Sequence, residues 1–236
     1  MTGRMIEFEA NGATAPGYLA TPKGTDAAPG SGVLVLHAWW GLTQPFRQVC
    51  DQLAEAGFVA LAPDLYRGKT TVSVEEAETL SSALNQEEER VRGDITGALR
   101  FLRKHGATSP ADNHGAVGLI GFSMGGAYAL ATSVEAPEQV AAVVLFYATY
   151  TGLDFATAQA AYLGHFAEDE PFEPRESVAQ LERELQAAGK ETTFYSYPGT
   201  THWFFEPNRP DAHDAAAAAL AWERTLAFLN ATLRRS

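Results

Sequence analysis

Ser123 has the neighbours of a nucleophile held on a tight turn. In "GFSMGG" the pattern Gly121-x-Ser123-x-Gly125 ends an apolar run, "AVGLIGFS", and opens the helical stretch "MGGAYALAT". A strand-to-helix turn of this kind strains the serine backbone and crowds the side chains around it, which flanking glycines relieve. Read blandly, the serine is only a polar residue in a glycine turn. The two readings separate downstream. A serine hydroxyl attacks a carbonyl only when a base takes its proton, and that base needs an acid to hold its tautomer and stabilise its charged form.

Six histidines are present, and three follow the serine: His165, His202 and His213. His165 falls inside an expected strand, and His213 begins the last expected helix as a surface residue. His202 lies in "YPGTTHWFF", a turn-rich stretch between the last strand and the last helix. A loop at the C-terminal edge of a parallel sheet is where a base reaches such an elbow. For the acid, "HFAEDEPFEP" carries Glu168, Asp169, Glu170 and Glu173 after the preceding strand, and spacing alone does not choose among them. Serine, then acid, then histidine is the chain order of α/β-hydrolases. An oxyanion hole needs two backbone N–H donors. Met124, directly after the serine, supplies one, and Trp39 in "LHAWWGL" is placed to supply the other. The side chains of Trp39 and Trp40 serve equally as an apolar wall for an acyl or alkoxy group or as core.

The elements that must position these residues are legible as short apolar runs alternating with helical patterns. Strands are expected at 5–10, 17–21, 32–38, 58–65, 116–123, 140–149, 161–167 and 192–198. The middle runs are apolar almost throughout, as parallel strands covered on both faces are, whereas the first two are mixed and suit an antiparallel edge. Helical spacing places Phe46, Val49, Cys50 and Leu53 on one face, with Cys50 as a small core residue. A long helical segment runs from Val74 to His105. It opens with Ser73 and Glu76 in a capping-box arrangement and sets Val91, Ile95, Leu99 and Leu102 on one face. Later helices carry Val178, Leu181 and Leu185 before a stop at Gly189, and Trp222, Leu226, Leu229 and Leu233 at the end. "DAAPGSG" near residue 26 reads as a surface loop and the alanine run at 215–219 as a tightly packed helix. With no linker or repeat in view, the whole of 1–236 reads as one α/β domain.

Composition narrows the partners. Seventeen Lys and Arg against 29 Asp and Glu give a formal charge of -12, which repels phosphate backbones and anionic lipid where no local basic patch intervenes. Nucleic acid and membrane are therefore not expected partners. Arg234 and Arg235 read as the last turn of a helix, where cations complement exposed carbonyls. The single cysteine excludes an internal disulfide and a multi-cysteine metal site, and no histidine pair has helical ligand spacing. "MTGRMIEFEANG" lacks the apolar core of a signal peptide, and no later run is long enough to cross a bilayer, so a cytoplasmic location is expected.

Taken together, "LHAWWGL", "APDLYRG", "GFSMGG", "HFAEDEPFEP" and "YPGTTHWFF", in that order, resemble the dienelactone hydrolase family of the α/β-hydrolase superfamily. The resemblance runs from "GYLATP" to "AWERTLAFL", nearly the whole chain. It implies an α/β-hydrolase fold, a mostly parallel sheet of about eight strands with helices on both faces. It further implies a cofactor-free hydrolase of small-molecule esters or lactones, monomeric or weakly dimeric. In the family the acid lies five residues after a strand histidine and four before a proline. Counted from His165 and from Pro174, both land on Glu170, with Asp169 as the competitor. The resemblance thus implies Ser123, Glu170 and His202 as the catalytic set. Well-known members carry a cysteine where this chain has Ser123 and a glutamate where it has Ala38, so the likeness is to the serine-using side of the family. Members specific for dienelactone hold the substrate carboxylate with an arginine four residues after the catalytic histidine. Here that position is Glu206, which would repel a carboxylate and points to a neutral ester. A thioesterase or peptidase on the same three residues, and an inactive ligand-binding member of the fold, are the alternatives.

Overall fold

The computed structural model describes residues 3–22, 31–105 and 115–233. The chain divides into two compact units, Met1–Val117 and Gly118–Ser236. The loop expected near residue 26, and Arg234 and Arg235, lie outside the described residues. Eight strands are present among the described residues, one at each apolar run.

In the first unit β1 (Gly3–Ala10), β2 (Ala13–Ala20), β3 (Gly32–Leu36) and β4 (Val59–Pro63) lie in the order β1-β2-β4-β3. β1 and β2 are antiparallel, as is β2 with β4, while β3 and β4 are parallel. β2 starts earlier than the apolar run suggests. Ala10 pairs with Ala13 across Asn11 and Gly12, both at positive φ (50° and 81°). An Asn-Gly pair makes a two-residue turn whose twist matches that of the strands, so pairing extends right up to it. β3 and β4 are buried at every position, and α1 (Gln44–Glu55) packs on them through Phe46, Val49, Cys50 and Leu53. Burial pushes the Cys50 thiol far above its ordinary value, which makes it inert core.

The long segment expected from Val74 to His105 is two helices, α2 (Val74–Gln86) and α3 (Glu88–His105). The break falls at Glu87, whose N–H turns back to the Leu84 carbonyl while its own carbonyl accepts the Val91 N–H that starts α3. Neither glycine nor proline marks the place. The capping box is half formed: the Ser73 hydroxyl accepts the Glu76 N–H. The Glu76 carboxylate takes the Thr71 hydroxyl instead (2.6 Å), and Thr71 Oγ1 accepts the Ser73 N–H. In "APDLYRG" the Asp64 carboxylate accepts the N–H groups of Tyr66 and Gly68. Arg67, at φ 55°, reaches the buried Asp94 carboxylate of α3 at 2.6 Å and the Thr14 carbonyl at 2.7 Å. Arg90 holds the other Asp94 oxygen. The motif is therefore a brace between β2, α3 and the end of β4.

In the second unit β5 (Val117–Phe122), β6 (Val140–Phe146), β7 (Ala161–Asp169) and β8 (Thr192–Thr201) lie in chain order. The pairings β6–β7 and β7–β8 are parallel. α4 (Met124–Glu135) and α6 (Ala215–Leu233) pack on β6, and α5 (Arg175–Ala187) packs on β8. The buried stripe of α6 is Ala218, Ala221, Thr225 and Leu229. It is rotated from the expected Trp222, Leu226 and Leu233, because small residues let the helix approach the strands and Thr225 meets a buried partner there. Of the alanine run only Ala218 is buried. The partner is His165 of β7, whose Nε2 lies 3.0 Å from Thr225 Oγ1 and whose Nδ1 lies 2.8 Å from the Tyr197 hydroxyl of β8. No helix among the described residues is long and apolar enough to cross a membrane.

Burial pushes His165 down from 6.5 to about 3. The folded protein thus resists a proton that the unfolded chain accepts, and stability is lost as pH falls from about 6.5 toward 3. Urea unfolding across that range should show the slope, and His165→Gln should flatten it.

Candidate active site

Ser123 stands between β5 and α4 at φ 49° and ψ -118°. That backbone is unfavourable for an L-residue by about 1–3 kcal/mol, and two hydrogen bonds hold it. The Ser123 N–H donates to the Phe146 carbonyl at the end of β6 (3.0 Å), and the Ser123 carbonyl accepts the Gly126 N–H (2.8 Å). The turn is closed by tight approaches: a Cβ on Gly121 would stand 2.4 Å from the Gly125 carbonyl oxygen, and one on Gly126 would stand 2.2 Å from the Ala148 Cβ. Gly126 lies outside the five-residue pattern, and only the packing against Ala148 shows why it is glycine.

The Ser123 hydroxyl lies 3.0 Å from His202 Nε2. His202 Nδ1 lies 2.7 and 2.8 Å from the two oxygens of Glu170. A carboxylate beside Nδ1 fixes the ring proton there and leaves the Nε2 lone pair facing the hydroxyl. Both side chains of this pair are 2 % exposed, so water does not compete for the contact. Glu170 also accepts the N–H groups of Phe172 and Glu173.

The backbone explains the pairing. β7 and β8 run parallel with Ala167 opposite Tyr197, but by Asp169 the partner is Thr201. Over this step β8 uses four residues where β7 uses two. Pro198, Gly199 and Thr200 form the bulge, with Gly199 at φ 73°, its N–H on the Glu168 carboxylate and the Thr200 hydroxyl on the Tyr197 carbonyl. β8 therefore runs on to Thr201 where the sequence suggested a loop, and Glu170 and His202 are the next residues on adjacent strand ends. The four carboxylates of the acidic stretch have separate places. Glu168 takes Gly199, Asp169 is exposed, Glu170 faces His202, and Glu173 is bonded by the Thr149 hydroxyl. Burial, with Glu170 adding to it, pushes Glu173 up to about 7.

Three aromatic rings enclose the imidazole: Tyr147 at 4.8 Å, Phe172 at 4.9 Å and Trp203 at 5.0 Å between centroids. No local pattern in the sequence marks any of the three as part of the site. Tyr147 lay inside an expected strand, whereas β6 stops at Phe146 and Tyr147 takes φ 41°. Glu206 departs from expectation. It is fully buried, and its Oε1 accepts the Tyr147 hydroxyl at 2.7 Å. Burial pushes it up to about 8, toward the neutral acid, which weakens the repulsion expected of it. His213 is half-buried rather than a surface residue, with Nδ1 3.0 Å from the Phe204 carbonyl. Met124 is the first residue of α4. In the other unit Trp39 and Trp40 form the turn after β3, their rings edge to face at 5.4 Å, with Trp40 buried and Trp39 half-buried.

A serine, a histidine and a carboxylate thus stand in one hydrogen-bonded row at the ends of parallel strands covered by helices. The chain matches the model of the Dienelactone hydrolase family over residues 15–233 and belongs to that family. It is 33% identical to Protein usf of Aquifex pyrophilus, over 96% of this chain and 97% of that one. It is 31% identical to a protein of Aquifex aeolicus named as a candidate carboxymethylenebutenolidase, over 98% of this chain and all (100%) of the relative. Among solved structures it superposes on a dienelactone hydrolase-like promiscuous phosphotriesterase from metagenomic libraries with a TM-score of 0.85 at 20% identity, covering 98% of both chains. It also superposes on the dienelactone hydrolase of Anabaena variabilis with a TM-score of 0.64 at 21% identity, covering 99% of this chain and 100% of that one. These likenesses show the α/β-hydrolase fold.

Two outcomes follow from the packing. Gly126→Ala should destabilise the fold by about 1–3 kcal/mol, read by urea unfolding, because Ala148 has no room to give. Glu173 is raised from 4.5 to about 7, so its contribution to stability is full below about pH 4.5 and lost as pH rises through about 7. Glu173→Gln should remove that slope.

Proposed function

We propose that this protein hydrolyses small carboxylic esters or lactones through an acyl-enzyme on Ser123. The observation that carries the reading is the row from Ser123 Oγ through His202 to Glu170. His202 Nε2 takes the hydroxyl proton as Oγ bonds to the substrate carbonyl carbon, and Glu170 steadies the imidazolium that forms. The Met124 N–H, at the positive end of α4, stabilises the oxyanion. Collapse of the tetrahedral species breaks the ester C–O bond, and His202 returns its proton to the leaving alkoxide. In a lactone that alkoxide stays tethered to the acyl group. Water, deprotonated by the same nitrogen, then attacks the acyl carbon and restores Ser123.

Membership of the dienelactone hydrolase family supports the bond type. So does a relative from Bradyrhizobium sp, 31% identical over 95% of this chain and 92% of its own, whose name is that of a lactonase for 2-oxo-3-(5-oxofuran-2-ylidene)propanoate. Burial of Glu206 favours its neutral acid and so lowers one obstacle to an acidic lactone, and both neutral and acidic substrates belong in the test. The family match runs through both compact units, which supports reading 1–236 as one α/β-hydrolase domain.

Nitrophenyl acetate and an unsaturated five-membered lactone should both be turned over. Ser123→Ala should fold normally and lose about 10³-fold or more in kcat, and Glu170→Gln about 10²- to 10⁴-fold. Asp169→Asn, at an exposed position, should leave the rate unchanged. Turnover that survives Ser123→Ala would overturn the assignment.

A further inference from the structure

Glu206 has no part in the acyl-transfer steps, yet only the Tyr147 side chain stands between it and their base. It lies four positions after His202, in the turn that leaves β8, with its N–H on the Trp203 carbonyl. It is 0% exposed. Its Oε1 accepts the Tyr147 hydroxyl at 2.7 Å, and its Oε2 is buried with no hydrogen-bond partner. A buried carboxylate with one bare oxygen is poorly solvated, whereas the neutral acid tolerates that surrounding far better.

Tyr147 is the element in between. Its φ of 41° is held by a hydrogen bond from its N–H to the His165 carbonyl (2.8 Å), which anchors the backbone but leaves the ring to be fixed at its far end. That far end is the hydroxyl on Glu206. The ring's face lies 4.8 Å from the imidazole centroid at 55°, and it also packs edge-on against Phe204 at 5.7 Å. Fixing the phenol at Glu206 therefore fixes the wall against which His202 rests.

We propose that Glu206 is a positioning residue, which sets the place of the His202 imidazole by anchoring the Tyr147 hydroxyl. The inference rests on His202 being the base of the proposed reaction. The titratable groups around Glu206 are Tyr147 at the end of β6 and Arg209 in its own turn. His202 and Glu170 lie beyond the Tyr147 ring. Tyr147 is held well above its ordinary value by burial and by Glu206, and so stays a hydroxyl donor throughout the working range. Burial pushes Glu206 up to about 8, with Tyr147 and Arg209 opposing the shift. The Tyr147 hydroxyl and the Arg209 cation favour the carboxylate over the acid, and a hydroxyl bonds a carboxylate at least as strongly as a neutral carboxyl, so the anchor holds in either form.

The test is kcat and KM for nitrophenyl acetate at neutral pH, corrected for spontaneous hydrolysis. It compares wild type, Glu206→Gln, Glu206→Ala, Tyr147→Phe and the double variant Glu206→Ala/Tyr147→Phe, with Ser123→Ala as the control. Glu206→Gln accepts the same hydroxyl, so it should keep the wild-type kcat. Glu206→Ala should lower kcat by about tenfold to a hundredfold, as a displaced base does, with KM little changed. In the Tyr147→Phe background the same substitution should cost nothing more, since the hydroxyl that it anchors is already gone. Equal losses in both backgrounds, or a loss in Glu206→Gln as large as in Glu206→Ala, would overturn the proposal. Should Glu206→Ala not fold, Tyr147→Phe decides alone: a matching loss of kcat is expected, and a wild-type kcat overturns the proposal. If Ser123→Ala stays active, the underlying reaction is wrong. If it is dead while Glu206→Ala matches wild type, only the positioning role fails.

Discussion

The parallel pairing of β7 with β8 is the constraint on which the candidate site depends. Neighbouring parallel strands end side by side, and whichever residues come next are forced within reach of each other. The bulge at Pro198, Gly199 and Thr200 sets which residues those are, by letting β8 spend two more residues than β7 before its end. It does so with its hydrogen bonds satisfied, Gly199 donating to Glu168 and Thr200 to the Tyr197 carbonyl. Glu170 and His202 then meet at 2.7 Å in a place that water does not reach. Deeper in the same strand pair, His165 ties β7 to β8 through Tyr197 and to α6 through Thr225. The offset is thereby held from below.

Backbone strain is concentrated around that pair. Ser123, Tyr147 and Trp203 are non-glycine residues at positive φ, at 49°, 41° and 69°, and each follows the end of a strand or, for Trp203, comes two residues after it. Positive φ turns the chain sharply enough to bring a side chain to the strand ends in place of carrying it away. The strain is offset by bonds to the neighbouring strand, Ser123 to Phe146 and Tyr147 to His165. Ser123, His202 and the Tyr147 ring against that imidazole are thus fixed at the ends of β5, β8 and β6 of one unit, with the turn at Ser123 packed too closely for a Cβ at Gly121 or Gly126.

Charge is handled by burial more than by pairing. Around His202 the side chains are aromatic, and the carboxyls nearest it differ in what they meet. Glu170 accepts from His202 Nδ1 and two backbone N–H groups. Glu173, half-buried, and Glu206, fully buried, each meet a hydroxyl, and burial pushes both toward the neutral form. Carboxyls of one chemical type are therefore set apart by what surrounds each of them.

Local pattern alone marks one strand at each apolar run, though not the ends of β2, β6 or β8. It also marks an antiparallel pairing of the first two, and a serine at a strand–helix turn followed by acid and histidine in order. These are local matters: apolar period, glycine at a tight turn and chain order are all written in neighbouring residues. The family likeness narrowed the acid to Glu170 by counting from His165 and Pro174. The tertiary structure decided what depends on neighbours distant in the chain. The break at Glu87 has no local marker, and the buried stripe of α6 turns on Thr225 meeting His165. Glu206 reads in the sequence as a charge that would repel a substrate carboxylate, because no local pattern reveals that Tyr147, 59 residues earlier, closes over it. Burial and register are properties of packed elements, and a one-dimensional pattern records them only where the whole element faces one way.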